Sequence, residues 1–159
     1  MAELYLLLGS NLGDREVNLN QAIKLLEERV GLISKTSSLY ETAAWGKNDQ
    51  PDFLNQAVCI ITDDEPENIL YKALQIEAEL GRERIERWGS RIIDIDLLFI
   101  DDQMINTQRL TLPHPQIQNR RFVLVPLNEI APEFIHPVLN KSIKELLVEC
   151  PDKLEVRRL

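Results

Sequence analysis

Apolar positions recur along the chain with two distinct periods, and the change from one to the other marks out the elements. Leu4–Leu8 is an unbroken apolar run, as expected of a strand buried on both sides. It leads into Gly9-Ser10-Asn11-Leu12-Gly13-Asp14, which reads as a loop with two glycines. Leu19, Ala22, Ile23, Leu26 and Val30 then repeat at helical spacing, and Gly31 marks the end of that helix. Residues 32–42, rich in Ser and Thr, form a weaker strand candidate, and 43–51 is a loop long enough to carry function. Phe53 to Thr62 alternates as a strand. Asp64 and Glu67 have capping-box spacing, Pro66 fits a first helical turn, and Gly81 closes the second helix. Ile92 to Ile100 reads as another buried strand. The remainder consists of shorter pieces broken by prolines, ending in a helix that Ser142 and Glu145 would cap.

The order strand, helix, strand, strand, helix, strand predicts an α+β fold. Its form is ferredoxin-like: a mainly antiparallel sheet with helices packed on one face, plus a C-terminal extension. Without repeats or a Gly/Ser/Pro-rich linker, residues 1–159 are expected to form one domain. An apolar fraction of 44% and a charged fraction of 28% are ordinary for a water-soluble fold. No stretch approaches the roughly 20 apolar residues of a membrane span, and Leu4–Leu8 is too short for a signal-peptide core. Cys59 and Cys150 form no pair or metal motif, so a reducing, cytoplasmic setting is expected.

A formal net charge of −8 argues against broad nucleic-acid binding. Within that acidic chain, seven of the eleven arginines fall between Arg82 and Arg121, and Arg82, Arg84, Arg87 and Arg91 occupy a single short loop. Such a concentration suits an anion site, although Glu83 and Glu86 would also fit a solvated loop with local counter-charges.

The run Arg91-Ile92-Ile93-Asp94-Ile95-Asp96-Leu97 changes that balance. Strand side chains alternate, so Asp94 and Asp96 emerge on one face while Ile93, Ile95 and Leu97 enter an apolar layer. Two carboxylates side by side repel each other and lose hydration; a divalent cation relieves both penalties, and all-oxygen ligands suit Mg²⁺. Metal plus arginine is a common way to hold polyphosphate. Phe53 and Asn55 likewise share a strand face, pairing an aromatic plane with an amide in a way that suits a flat heterocycle; Trp45 and Phe122 offer further stacking surface. Glu77 lies on the stripe Leu70, Ala73, Leu74, Leu80. It is open between a boundary residue and an orienter for Arg82 or Arg91. His114, framed by Pro113 and Pro115 and near Arg109, Arg120 and Arg121, is placed to donate to phosphate, whereas His136 reads as structural. Gly9-Ser10-Asn11-Leu12-Gly13 lacks the lysine of a P-loop.

Five blocks in order resemble the 6-hydroxymethyl-7,8-dihydropterin pyrophosphokinase family. They are Leu4 to Gly13, Asp49 to Ala57, Arg87 to Asp96, Leu112-Pro113-His114, and Pro126 to Pro132. The resemblance implies transfer of the β,γ-pyrophosphoryl group of ATP to a pterin hydroxymethyl oxygen, releasing AMP. It implies that Asp94 and Asp96 hold two Mg²⁺ ions and that Arg82 and Arg91 are catalytic. Leu70, Glu77, Arg84, Trp88, Arg109, Leu110, Thr111, His114 and Arg120 match positions of the ATP site. Thr42, Ala43, Trp45, Phe53, Asn55 and Phe122 match the pterin pocket. The partners implied are these small molecules alone, bound by a monomer, with neither nucleic acid nor membrane.

Some positions depart from the family pattern. Phe53 stands where many members have Tyr, Ala43-Ala44 replaces a frequent Pro-Pro pair, Ser90 stands where Pro is usual, and the loop from Arg82 to Trp88 is one residue shorter than in some relatives. Two other classes fit less well. A nucleotidyltransferase places its Gly-Ser shortly before the acid pair, and here Gly9-Ser10 lies far upstream of Asp94. A ferredoxin-like binding module has no need of paired strand acids flanked by arginines.

Overall fold

A computed structural model describes residues 1–43, 52–81 and 92–159. Its central sheet contains β1 (Ala2–Ser10), β2 (Leu32–Thr36), β3 (Tyr40–Thr42), β4 (Phe53–Thr62), β5 (Asp94–Ile100) and β8 (Val156–Arg158), while β6 (Ile105–Asn106) and β7 (Thr111–Leu112) form a small separate hairpin. The order is β5-β1-β4-β3-β8, with β2 also paired to β4, and every pairing is antiparallel. This is the ferredoxin-like arrangement, with the crossover helices α1 (Arg15–Arg29) and α2 (Pro66–Leu80) on one face.

β1 is central and buried on both sides, which explains its unbroken apolar run. Leu4, Leu6 and Leu8 meet Leu19 and Leu26 of α1 and Ile69 and Ile76 of α2. Tyr5 and Leu7 point the other way, into a second core with Leu124 and Leu127 of α3 (Arg121–Ile130) and Ile143 and Leu146 of α4 (Ile143–Glu149). Burial of each such Leu or Ile contributes roughly 1.5–3 kcal/mol. A bulge against β1 lets Leu97 and Ile100 serve the first core while the consecutive Leu98 and Phe99 serve the second.

Several local expectations change. The loop expected to open at Gly9 begins later, because Gly9 and Ser10 complete β1. The weak strand over 32–42 is two strands, and Ser37 bridges the break: its hydroxyl accepts the Ala57 N–H at 2.9 Å. The capping box expected from Asp64 and Glu67 does not form. Glu65 is the N-cap and makes no side-chain cap bond, while Asp64 pairs with Lys72 and accepts from Asn68. Leu74 is exposed, so the buried stripe of α2 runs through Ile69, Ala73 and Ile76, leaving Glu77 beside it. The proline-broken region holds a full helix, α3, with Pro126 inside it. Burial of Val123, Leu124 and Leu127 offsets the backbone hydrogen bond lost there. The capping box on α4 is present in both directions. Gly31 follows α1 because a side chain there would meet the Ile61 carbonyl at 2.2 Å.

The second sheet face is therefore covered as well, by α3 and α4, except toward the ends of β1 and β4 beyond the N-terminus of α3. At that end the two predicted acids meet Arg120 and the described residues of the predicted acceptor pocket.

Candidate functional site

Gly9 of β1 sits in register between Asn55 of β4 and Asp94 of β5. A Cβ at Gly9 would lie 2.7 Å from Asn55 Oδ1 and 3.8 Å from Phe53 Cδ1, so the absent side chain makes room for the amide. Around this point opens a cavity of about 190 Å³. Leu7 and Gly9 form its floor. Asp94 and Asp96 project into it from β5, Phe53 and Asn55 from β4, and Thr42 and Ala43 from the end of β3. Arg120 and Phe122, at the N-terminus of α3, and Leu154, in the C-terminal segment, complete the walls.

The alternation expected of β5 holds: Ile93, Ile95 and Leu97 belong to the first core, while both aspartates face the cavity. The backbone between them is held from α2, where Glu77 Oε2 accepts the Ile95 N–H at 2.7 Å. Glu77 thus acts on the backbone that carries the acid pair. Asn55 is 4% exposed and presents a buried amide at the cavity end of β4. The Thr42 hydroxyl oxygen is buried without a hydrogen-bond partner among the described residues, an arrangement that favours a polar group arriving in the cavity. The Arg120 guanidinium carbon lies 5.9 Å from the Phe122 ring centroid, joining cation and aromatic plane at one wall.

Among the described residues, Leu70, Glu77, Arg109, Leu110, Thr111 and His114 of the predicted nucleotide set do not line this cavity. Leu110 is buried and Leu70 partly buried against the first core. Thr107 shapes the turn between β6 and β7 through its hydroxyl and presents Arg109 to solvent, with Thr111 exposed beside it. The hairpin flanks β5, the edge strand, because the His114 N–H donates to Leu98 O at 3.0 Å. His114 Nδ1 accepts from the Gln116 N–H at 3.1 Å, so the neutral ring carries its proton on Nε2. Burial, and then the Arg120 guanidinium, lower the His114 pKa, so the ring is neutral near pH 7. Trp45, Arg82, Arg84, Arg87, Trp88, Arg91 and the Ser90 departure lie outside the described residues.

Three cavity residues were not predicted. The apolar run predicts only a core role for Leu7 and a loop for Gly9, although the place of Gly9 at the end of that run beside Ser-Asn is a usable signal. Leu154 is a single apolar residue in a charged tail and gives no signal of its own.

His136 is structural, as expected: it is 4% exposed, its Nδ1 accepts from the N–H groups of Val138 and Leu139, and its ring meets the Phe99 face edge-on. Among the described residues no three His, Cys, Asp or Glu side chains cluster as a metal cage. No helix among them is long and apolar enough to cross a membrane.

A cavity that brings paired carboxylates, an arginine and an aromatic–amide slot together on a ferredoxin-like sheet suits an enzyme acting on an anionic group. The comparisons with known proteins make this particular. The family model for 7,8-dihydro-6-hydroxymethylpterin-pyrophosphokinase matches residues 5–132. The chain is 44% identical over 149 residues to the 2-amino-4-hydroxy-6-hydroxymethyldihydropteridine pyrophosphokinase of Aquifex aeolicus, covering 94% of this chain and 92% of that one. It is 48% identical over 127 residues to the Bacillus subtilis protein of the same name, covering 79% of this chain and 76% of the other.

Among solved structures, an HPPK-DHPS chain in complex with substrates superposes with a TM-score of 0.76 at 16% identity, and Plasmodium falciparum HPPK-DHPS with 0.73 at 23%. These support the fold alone; the chain spans 93% and 94% of its own length in them but 43% of each solved chain. The chain belongs to the 7,8-dihydro-6-hydroxymethylpterin-pyrophosphokinase family. It is accordingly an ATP-dependent diphosphotransferase of folate biosynthesis.

Proposed function

We propose that the cavity between β3, β4 and β5 is the acceptor site for 6-hydroxymethyl-7,8-dihydropterin, with its hydroxymethyl group toward Asp94 and Asp96. The observation that carries this reading is the meeting of both aspartates, Arg120, Asn55 and the two phenylalanines in one cavity of about 190 Å³. That volume is below the ~300–1,000 Å³ of drug-sized sites and suits a small bicycle. Phe53 and Phe122 supply flat apolar surface, while Asn55 and the Thr42 hydroxyl supply the hydrogen bonds that read a pterin edge. Ala43 lines the same wall, and Trp45 is assigned to the acceptor pocket by the family resemblance alone.

The acid pair fits magnesium by its donor chemistry. Mg²⁺ is held through one or two carboxylates, with substrate phosphate and water filling its other positions, and so needs no dedicated protein cage. Asp94 and Asp96 are the residues that would hold two Mg²⁺ ions. Bound magnesium supplies positive charge that offsets the triphosphate and the charge developing during transfer. Arg120 adds a fixed cation at the same wall, and His114 a neutral Nε2–H donor beside it. Glu77 holds the strand that carries the acids. ATP would lie beside β5, toward Leu70, Arg109, Leu110 and Thr111, while Arg84 and Trp88 are assigned to the nucleotide, and Arg82 and Arg91 to the transferring phosphates, by the family resemblance. The described lining of the cavity comes from one chain, which supports a monomeric reading. Free, buried Cys59 and Cys150 fit a reducing cytoplasm.

Incubation with ATP, Mg²⁺ and 6-hydroxymethyl-7,8-dihydropterin, followed by nucleotide analysis, tests the reaction. AMP formed only when the pterin is present is the expected result. ADP, or no turnover by folded protein, overturns it.

A further inference from the structure

The family model ends at residue 132, yet Leu154 lines the acceptor cavity. Leu154 is suspended between two anchors. On one side Asp152 reaches α3 at the cavity wall: its Oδ2 accepts the Arg121 N–H at 3.1 Å while its Oδ1 accepts the Leu154 N–H at 2.9 Å. On the other side β8 pairs with β3 from Thr42↔Val156 to Tyr40↔Arg158, and the Leu159 N–H donates to Leu39 O at 2.9 Å.

Ion pairs surround this second anchor. Glu41 accepts Arg157 at 2.9 Å and Arg15 at 2.7 Å; Arg157 also meets Asp52 at 3.1 Å, and Arg15 donates to Asp52 O at 2.9 Å. Each joined residue is a chain neighbour of a cavity residue, Glu41 of Thr42 and Asp52 of Phe53. The Arg157 side chain is 49% exposed, so its pairs contribute little singly, and the weight falls on Asp152 and the strand pairing.

We propose that the C-terminal segment from Asp152 to Arg158 is part of the acceptor site. Leu154 is an apolar wall against the acceptor ring, and Asp152 is the positioning residue that fixes Leu154 relative to Arg120 and Phe122. This rests on the reading of the cavity as the pterin site. A pterin lying against Leu154 loses that contact on truncation, whereas ATP on the far side of β5 does not.

The test is steady-state kinetics and direct pterin binding with Leu154→Ala, Leu154→Met, Asp152→Ala and Asn55→Ala, each checked for folding by circular dichroism. Leu154→Ala should raise the pterin KM about tenfold, the scale for losing most of a buried leucine's contact. The KM for ATP should stay within about twofold and kcat should be little changed. Leu154→Met conserves volume and should restore pterin affinity. Asp152→Ala should follow Leu154→Ala in direction; if it does not fold, the Leu154 pair decides. Unchanged pterin affinity in Leu154→Ala with a loss in Asn55→Ala overturns the proposal and leaves the cavity reading standing. Unchanged affinity in both removes the cavity reading, and the proposal with it. A parallel rise in both KM values would mark a merely structural tail and overturns the proposal too.

Discussion

The carboxylate of Glu77 on α2 accepts the backbone N–H of Ile95, the residue between Asp94 and Asp96, at 2.7 Å. This bond ties a helix on one face of the sheet to the strand whose acids open on the other. A hydrogen bond to a charged group contributes about 1.5–3 kcal/mol, and losing it leaves the Ile95 N–H unsatisfied at a partly buried site. Glu77→Ala is therefore expected to lower unfolding free energy by that order and to depress kcat by letting the acid pair shift. Glu77→Gln keeps an acceptor oxygen for the Ile95 N–H and should be less destabilised than Glu77→Ala. Denaturant unfolding and initial rates of the two variants check this; equal behaviour of Ala and Gln would contradict it.

Gly9 gives a sharper test of the cavity. Its added Cβ would stand 2.7 Å from Asn55 Oδ1, so Gly9→Ala must displace the amide or move two strands apart. Overpacking of this kind costs typically about 1–3 kcal/mol. The prediction is a folded protein with weakened pterin affinity and little change for ATP, measured by titrating each ligand separately.

The elements legible in the sequence were those whose pattern was local. The alternating β4 was predicted at its observed limits, and α1 and α2 followed their apolar periods. α3 was missed because Pro126 reads locally as a break, and only the tertiary burial of Val123, Leu124 and Leu127 makes the helix favourable. The Asp64 cap failed for the same kind of reason: Lys72, a partner on the next turns, competes for the carboxylate. In the site, Asp94, Asp96, Phe53 and Asn55 were legible because strand alternation alone puts each pair on one face. Leu154 and the Glu77–Ile95 bond depend on contacts between segments distant in sequence, for which no local pattern exists.

The two histidines predict how stability changes with pH. Burial lowers the pKa of His136, and burial followed by Arg120 lowers that of His114, both from an unfolded value of 6.5. The unfolded chain therefore binds more protons than the native one below about pH 6.5, and stability must fall as pH drops through that value toward the native pKa values. Above it the contribution is complete. The depressed carboxyls Glu41, bridged by Arg157 and Arg15, and Asp64, bonded by Lys72, act in a separate window below about pH 4.5. Melting temperatures between pH 8 and 5 should decline in the acidic half. The variant His136→Asn, which keeps an acceptor for Val138 and Leu139, should flatten part of that decline. A slope unchanged in the variant would assign the effect elsewhere.

Asp96→Asn separates the metal reading from packing. The substitution keeps shape, and neither Ile95 nor Leu97 loses its place in the core, so the protein should remain folded. Removing one of two like charges on a shared face also relieves their mutual repulsion, so the informative quantity is the stability that magnesium and nucleotide add to each protein. Mg²⁺ and ATP should stabilise the parent more than the variant, because ligand binding stabilises the native state by an amount that grows with the logarithm of affinity and the parent binds the metal–nucleotide better. Turnover should fall on the order of 10²–10³-fold, the scale for removing one fixed stabiliser of transition-state charge. Calorimetric melting with and without Mg²⁺–ATP, together with rates across a Mg²⁺ titration, measures all three. Near-normal turnover, or an equal gain in stability from Mg²⁺–ATP in both proteins, would remove Asp96 from the metal site, because a carboxylate acting only through packing or hydration would not change the gain that magnesium brings.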